Sequence, residues 1–570
     1  MVSSAVPRGS TPAGAAEVAR SRLGALRRQR RWLLPLLVVA LLAPMAVAMV
    51  TAAVQQTPTI DEPVYVGTAA VYLRRHSLQD NPEHPPLGKL IIESGVAAAH
   101  PHIDPAFRGD AQAVGRHLLY ESDNDAGRLL LWSRLPMIVL TLLFGLVVFG
   151  FARDVAGDVA GLVALALYAF SPDIIANGSL ATLDVPAAGF VLTAAWCVWR
   201  ARRRPARYLP LAGVALGAAI ATKMSALAAV PVVLALAVWS VWAAGRRDRD
   251  KAPRPLVRDA GAAAGAAVGV ALLAVGVVWA TYLAVDPRLR WATPPGTPVV
   301  HGLRGLVVDR LPFPRPYRDG MRIQFGFENA RWGGFLFGRQ YVGSLWYYLP
   351  AALLVKTPLG MLALWLAGAV AMVATPRLRP AAAYVLVPAA FLMAVELTES
   401  RNLGVRYVIF VPMFLAVAAA CVVPAAMAVR RRRALAGVAA LTLFVAVSSL
   451  RTYPYYLPYS NEAFGGPAKT YLRLHDSNVD WGQDLGRLAD RLRQRYPGER
   501  IWLVYKGSGV PSSYGIAARD PRTVPPSEVR GLLVVSNSRV DRPDAQLTAL
   551  INSSTPIDEV GHSITLYRRA

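Results

Sequence analysis

Apolar blocks of membrane-spanning length recur along most of this chain, and they limit its fold more than any other feature. A helix that crosses the hydrocarbon core needs about 20 mostly apolar residues. Eleven segments are apolar enough to be drawn as such spans: 33–54, 129–152, 159–172, 181–199, 208–222, 225–244, 260–285, 357–374, 381–396, 405–429 and 434–450. We therefore predict a polytopic α-helical membrane protein with about 11 transmembrane helices. The first block is too long for a signal-peptide core, so we expect it to remain as an anchor.

The basic residues are grouped between these blocks. The chain has a formal net charge of +25, and its arginine-rich runs at 27–31, 200–207, 245–258 and 430–433 separate predicted helices. Such runs stay in the cytoplasm under the positive-inside rule, which places the N-terminus there too. A nucleic-acid-binding protein would carry its basic patch on a soluble fold, so we predict no nucleic-acid partner.

Three long segments then fall on the outer side of the membrane: 55–128, 286–356 and 451–570. The first two are interrupted by proline, glycine and aromatic residues, and we expect short interfacial helices there, as in 343–356. The predicted domains are a cytoplasmic basic part over 1–31 that is partly disordered, a membrane domain over 32–450 and an outer domain over 451–570. Cys197 and Cys421 fall inside predicted membrane helices, which makes a disulfide or a cysteine-based metal site unexpected.

The tail, residues 451–570, has the pattern of a small α/β domain. One amphipathic helix would place Leu485, Leu488, Ala489 and Leu492 on a single face, after Asp480 and Gln483 at capping-box spacing. Three β-rich runs, at 500–507, 531–538 and 563–569, are predicted strands.

Acidic residues are concentrated in the stretch TIDEPVYVGTAAVYLRRHSLQDNPEHPPLGKLI, residues 59–91, directly after the first apolar block. One interpretation is local, with Asp61 or Glu62 capping a helix that begins at Pro63. The other is chemical, because a carboxylate near the membrane surface suits proton removal from a hydroxyl nucleophile. Lys89 and His84 are then candidates to hold a lipid phosphate.

Two further features of the outer side leave the same choice open. Glu83 and His84 are adjacent and form a candidate divalent-metal pair, although two ligands alone are a weak signal. Asp184 lies where an apolar helix begins, in the stretch SPDIIANGSLATLDVPAAGF (171–190). It is either a partner of the helix dipole or a functional acid near the membrane.

These stretches, together with TKMSALAAVP (222–231) and RNLGVRYVIFVPMF (401–414), resemble the GT-C glycosyltransferases that use polyprenyl-phosphate sugars. The similarity runs over about residues 30–450 and points to the protein O-mannosyltransferase and lipid A aminoarabinose transferase group. The tail stretch HDSNVDWGQDL (475–485) resembles a motif of bacterial members of this group. The resemblance implies a GT-C fold with a lipid-linked sugar donor and a protein, glycan or lipid acceptor.

The resemblance also implies roles for single residues. Asp61 matches the catalytic base, with Glu62 beside it. Glu83 and His84 match the short acidic motif before Pro85-Pro86, where aminoarabinose transferases have a lysine in place of His84. The resemblance implies that three further residues bind the donor. Asp184 matches the second acidic position of the family core, and Arg406 and Lys356 would lie near the donor phosphate.

The expected reaction is sugar transfer to a hydroxyl with inversion at the anomeric carbon, on the outer face of the plasma membrane. No nucleotide sugar is available there, and no glycine-rich phosphate loop is present in the sequence. The alternative is a transporter or flippase of cell-envelope precursors, which would use charges inside broken helices and inverted repeats. A non-catalytic scaffold would have no need of the acidic loop.

Overall fold

The structure of the chain is a computed structural model that describes residues 12–249, 256–428, 432–539 and 544–570. Residues 1–11 of the predicted cytoplasmic part, and portions of the arginine runs 245–258 and 430–433, lie outside the described residues.

Nineteen of the helices build the membrane part and its outer loops. In chain order they are α1 Pro12–Gln55, α2 Glu62–Arg75, α3 Pro86–Ala99, α4 Ala111–Tyr120, α5 Ala126–Ala156, α6 Asp158–Ala169, α7 Pro172–Gly178, α8 Asp184–Ala201, α9 Pro205–Thr222, α10 Ala229–Arg249, α11 Leu256–Val285, α12 Gly302–Arg310, α13 Arg315–Asn329, α14 Tyr348–Lys356, α15 Leu359–Ala374, α16 Arg379–Glu396, α17 Phe410–Ala420, α18 Val422–Ala428 and α19 Arg432–Thr452. A hairpin of β1 Gly333–Leu336 and β2 Arg339–Val342 lies between α13 and α14.

The spans are fewer than predicted when helix length and composition are both required. Within the described ranges seven helical stretches are long and apolar enough to cross a membrane, or nine if two bent helix pairs each count as one span. The bent pairs are α6 with α7, at 62°, and α14 with α15, at 118°. The predicted segments 181–199 and 208–222 form helices α8 and α9, of 18 residues each, which are not among these seven stretches. The chain is a multi-pass membrane protein.

Small residues allow the membrane helices to pack closely. Gly213 and Gly217 on α9 face α11, where an added Cβ atom would lie 3.0 Å from the Val270 carbonyl oxygen or 2.8 Å from that of Ala274. Close backbone approach of this kind replaces the hydrophobic effect as the source of helix association in lipid.

The tail forms the predicted small α/β domain. Its sheet has the order β4-β3-β5-β7-β6, with β3 parallel to β4 and β5, and β7 antiparallel to β5 and β6. The elements are α20 Leu485–Arg495, β3 Ile501–Val504, β4 Ala518–Arg519, β5 Gly531–Ser536, α21 Ala545–Asn552, β6 Thr555–Val560 and β7 Ile564–Arg569. The three predicted strands are thus present, and the four predicted apolar residues of α20 are all buried.

Residues 12–31 of the predicted basic N-terminal part belong to α1. One local prediction was wrong. The proposed capping box fails because α20 begins at Leu485, and its N-cap residue is Asp484 without a side-chain cap bond. Asp480 and Gln483 lie in the preceding loop, where Gln483 Oε1 accepts from the Trp481 backbone N–H at 2.8 Å.

Candidate functional site

A cavity of about 1290 Å³ lies where the outer loops, two membrane helices and the tail domain meet. Part of its lining is apolar, with Met224, Leu227, Pro231, Phe325, Phe391 and Val395. The rest carries charged side chains of both signs: Asp61, Glu83, Lys223, Glu328, Glu396, Glu399, Arg401, Arg406, Asp476 and Lys506. The cavity therefore suits a ligand with an apolar chain and a charged head.

Two acids and two cations form a connected cluster beside this cavity. Arg406 Nη1 donates to Asp61 Oδ2 at 2.6 Å and lies 3.8 Å from Asp184 Oδ2. Lys223 Nζ donates to Asp184 Oδ1 at 2.5 Å. Three predicted site residues, Asp61, Asp184 and Arg406, are thereby brought together from widely separated parts of the chain. We name Asp61, Asp184, Lys223 and Arg406 the acid–base cluster.

Asp61 occupies the N-cap position of α2 without acting as a cap. Its backbone is in the α-helical region, and its side chain accepts no hydrogen bond from the first turn. The carboxylate points instead to Arg406 and into the cavity, with 28% of the side chain exposed. The local interpretation of this acid as a helix cap is therefore wrong.

Glu62, its neighbour, points the other way and is fully buried. Its two carboxylate oxygens accept from Arg134 Nε at 2.7 Å and Nη2 at 2.6 Å, and also from the backbone N–H groups of Thr59 and Ala181 at 2.8 Å each. Burial alone would raise the pKa of Glu62, but the Arg134 charge and these bonds hold it below its usual range. Arg134 also donates to the carbonyl oxygens of residue 53, in the last turn of α1, and residue 56, just after it. These contacts give Glu62 a structural place away from the cavity.

Glu83 and His84 both line the cavity, in the turn before α3. Glu83 Oε1 accepts from the Asn81 side-chain amide at 2.7 Å. Burial and the nearby Lys223 ammonium hold the pKa of His84 well below its usual range, so its ring is neutral at pH 7. A neutral ring offers no charge to a phosphate.

A divalent metal ion at Glu83 and His84 stays a prediction. In the part of the chain that the structure describes, no group of three or more His, Cys, Asp and Glu side chains is placed to hold a metal ion.

Lys89, a predicted phosphate ligand, is instead part of the protein core. Its ammonium donates to the carbonyl oxygens of Asn81 at 2.8 Å and His84 at 2.7 Å, and it lies 5.3 Å from the centre of the Tyr72 ring. Burial lowers the pKa of Lys89 to about 7. This lysine shapes the turn that carries Glu83 and His84, and it does not line the cavity.

Lys356, the second predicted phosphate ligand at a helix end, is also buried and bonded to the backbone. Its ammonium donates to the carbonyl oxygens of Leu457 at 2.5 Å and Asn478 at 3.0 Å, and it lies 3.4 Å from Asp173 Oδ1. It joins the end of α14 to the part of the tail that precedes α20. The cavity wall does not include it.

Several cavity residues were missed by the sequence analysis. Lys223, in the stretch TKMSALAAVP, was not singled out as a site residue, and it belongs to the acid–base cluster. The tail supplies four more residues of the wall: His475, Asp476, Trp481 and Lys506. The Lys506 charge opposes the effect of burial and lowers the pKa of Asp476, to which Lys506 donates a hydrogen bond. The density of polar residues in HDSNVDWGQDL was the available signal.

Residues 37–285 match the family described as dolichyl-phosphate-mannose-protein mannosyltransferase. The match covers less than half of the chain and includes Asp61, Asp184 and Lys223 of the acid–base cluster. Over these residues it confirms the predicted resemblance to membrane glycosyltransferases that use lipid-phosphate-linked sugars. No curated protein matches the sequence of the chain.

Three solved structures are similar to parts or most of the chain. The Saccharomyces cerevisiae protein O-mannosyltransferase Pmt1–Pmt2 complex, bound to the sugar donor, is 20% identical with a TM-score of 0.35 over 45% of this chain and 33% of that one. ArnT from Cupriavidus metallidurans, bound to undecaprenyl phosphate, is 14% identical with a TM-score of 0.45 over 93% of this chain and 97% of that one. The Archaeoglobus fulgidus oligosaccharyltransferase is 13% identical with a TM-score of 0.43 over 81% of this chain and 58% of that one. The chain thus spans a third of the length of the yeast protein that it matches.

Proposed function

We propose that this protein is a membrane glycosyltransferase that moves a sugar from a polyprenyl-phosphate donor to an acceptor hydroxyl on the outer face of the plasma membrane. The observation that carries the proposal is the acid–base cluster beside a cavity whose lining is partly apolar. The family match over residues 37–285 supports the same class.

The two ends of the donor would contact different residues of the cavity lining. The prenyl chain lies against Leu227, Phe325 and Phe391, since a long apolar chain gains free energy by leaving water. The phosphate lies against Arg406 and Lys223, whose cations offset the charge that develops as the glycosidic bond breaks.

Asp61 is the proposed general base. The acceptor oxygen attacks the anomeric carbon while the bond from that carbon to the phosphate oxygen breaks, which inverts the configuration. The hydroxyl proton passes to the Asp61 carboxylate, and polyprenyl phosphate leaves with the bonding electron pair. Glu83 lines the same cavity and is available to bind the sugar or the acceptor.

Arg406 links donor binding to the base. Its guanidinium donates to Asp61 in the structure, and an anionic phosphate that enters the cavity competes for the same donor group. Donor binding then frees the carboxylate at the moment when a proton must be accepted.

The test begins with a deletion strain, in which lipid extracts are analysed by mass spectrometry. A polyprenyl-phosphate sugar that accumulates identifies the donor, and purified protein should then convert it to polyprenyl phosphate in the presence of a wild-type envelope fraction. If purified protein only moves the intact lipid between leaflets of a vesicle and releases no polyprenyl phosphate, the proposal is wrong and the flippase alternative is supported.

A further inference from the structure

The loop that precedes α20, residues 475–484, lies between the membrane part and the sheet of the tail domain. We name it the tail loop. Six of its side chains are almost completely buried, namely Asn478, Val479, Asp480, Trp481, Gln483 and Asp484. A buried polar loop must satisfy its hydrogen bonds within the protein, and the partners of the tail loop come from both sides of the acid–base cluster.

On one side the tail loop pairs with the segment that carries Asp61. The backbone N–H of Thr57 donates to the Gln483 carbonyl, and that of Ile60 donates to the Trp481 carbonyl, both at 3.0 Å. Thr57 Oγ1 also donates to the Gly482 carbonyl at 3.0 Å. The residue directly before Asp61 is therefore fixed by Trp481.

On the other side the tail loop holds the turn that carries Arg406. The Val405 backbone N–H donates to Asn478 Oδ1 at 3.0 Å, and Ser477 Oγ donates to the Leu403 carbonyl at 2.6 Å. Between them, Gly404 has a φ of +153°, and an added Cβ there would lie 2.2 Å from Ser477 Oγ. Only glycine leaves room for the tail loop at this position.

The Trp481 side chain completes the connection. The Arg406 guanidinium carbon lies 4.3 Å from the centre of the indole ring, and a second aromatic ring, that of Tyr407, is 5.0 Å away. Arg406 Nε is buried, and the described residues provide it with no hydrogen-bond partner. The orientation of the guanidinium thus depends on its carboxylate partners and on these rings.

We infer that Trp481 is a positioning residue for the acid–base cluster. Its indole covers one face of the Arg406 guanidinium, which leaves the N–H edge directed at Asp61 and the cavity, while its carbonyl fixes Ile60. Arginine stacks on aromatic faces in this way, and its planar fork then loses less freedom when it binds a phosphate. The inference rests on the proposed function, because it assigns Arg406 to the donor phosphate. It gives the tail domain a part in building the site.

The experiment is a double-mutant cycle on the full-length protein in lipid nanodiscs, with undecaprenyl phosphate as the probe. The four proteins are wild type, Trp481→Ala, Arg406→Ala and the double variant. Trp481→Ala should weaken binding about 3- to 30-fold, the range expected for a desolvated cation–π contact. The double variant should bind no more weakly than Arg406→Ala, because an indole that acts through Arg406 has nothing to position once Arg406 is absent.

Two further variants separate positioning from general damage. Trp481→Phe retains an aromatic face and should bind within a few-fold of wild type. Trp502→Ala is the matched control, since Trp502 is also buried in the tail domain beneath an arginine, with Arg500 4.5 Å from its ring, and it is absent from the cavity wall. This variant should melt at a lower temperature yet bind the probe as wild type does.

Additive losses in the cycle, or wild-type affinity of folded Trp481→Ala, would overturn the inference.

If the wild-type protein itself fails to bind undecaprenyl phosphate, the phosphate assignment in the proposed function fails. The positioning role is then decided by the rate at which phenylglyoxal modifies Arg406, measured by peptide mass spectrometry. Faster modification in Trp481→Ala than in Trp481→Phe supports positioning, and equal rates refute it. If Trp481→Ala does not fold, Trp481→Leu replaces it in every comparison.

Discussion

Arg406 Nη1 donates a hydrogen bond to Asp61 Oδ2 at 2.6 Å, although the two residues are 345 positions apart in the chain. Asp61 follows the first membrane helix, and Arg406 precedes α17. Both side chains line the cavity. A ligand in the cavity can therefore contact the Asp61 carboxylate and the Arg406 guanidinium. The ion pair with Arg406 stabilises a carboxylate that lies directly after an apolar helix.

Asp61→Asn should abolish most sugar transfer while the protein still folds. Asparagine keeps the shape and a hydrogen-bond acceptor but cannot take the proton, and loss of a general base costs about 10²–10⁴-fold in rate. Transfer by purified protein in lipid is the measurement, beside a thermal melt. The matched control is Asp110→Asn, because Asp110 does cap a helix, with its carboxylate accepting from the Ala113 N–H at 2.7 Å, and asparagine caps about as well. Transfer within a few-fold of wild type in Asp61→Asn would exclude it as the base.

Arg406→Ala should raise the donor concentration needed for half-maximal transfer, and Arg406→Lys should recover only part of the loss. A lysine carries the charge but not the planar fork that binds phosphate at two points. Donor saturation curves give the comparison.

Lys356→Met is the contrasting variant for the same assay. The Lys356 ammonium is bonded to two carbonyl oxygens and lies beside Asp173, so its removal should lower the melting temperature with little effect on donor saturation in the protein that stays folded. A selective loss of donor affinity in Lys356→Met would restore it as a phosphate ligand.

The helices were largely predictable because apolar blocks and strand patterns are local properties of the sequence. All eleven predicted apolar segments contain helices, and the three predicted strands form. The different orientations of the Asp61 and Glu62 side chains depend on residues that are distant in the sequence. Successive helical residues point about 100° apart, and the distant Arg134 binds Glu62 on the side away from the cavity.

Which lysine side chains reach the cavity could not be predicted from the sequence either. Lys89 and Lys356 bind backbone carbonyl oxygens, and carbonyls carry no signal in a sequence. Lys223 and Lys506 reach the cavity only through the packing of α9 and the tail domain. Charged residues near the predicted membrane surface were therefore candidates for the site. Only the tertiary contacts show which of them line the cavity.

Glu62→Gln should destabilise the protein strongly. Removing one partner of a buried ion pair leaves an uncompensated charge, here on Arg134, at a cost of about 3–5 kcal/mol. The matched control is Asp158→Asn, which breaks an ion pair with Arg153 of the same 2.6 Å length but with both side chains 49% exposed. Thermal melts of the two variants should differ clearly, and equal melting temperatures would mean that the buried pair contributes nothing.

The tail domain and the arginine runs should lie on opposite sides of the membrane. Both native cysteines are buried, which allows single cysteines to be introduced at exposed positions, Ser512→Cys in the tail domain and Ala206→Cys in the run 200–207. A maleimide that cannot cross membranes should label position 512 in intact cells and position 206 only after lysis. The reverse pattern would invert the orientation and place the cavity in the cytoplasm.

Asp480, at the centre of the tail loop, should make stability depend on pH. Burial raises the pKa of its carboxyl to about 7, against an unfolded value of 3.8. The folded state therefore holds a proton that the unfolded state has lost, and stability falls as pH rises from about 4 to about 7, by roughly 1.4 kcal/mol for each unit of pKa difference. Asp480→Asn carries no such proton, so its melting temperature should exceed that of wild type at pH 8 by more than at pH 5. Asp490→Asn, an exposed acid of α20, is the control variant. A wild-type protein that is relatively more stable at pH 8 would show that the carboxyl is folded as its anion, held by the nearby Lys506.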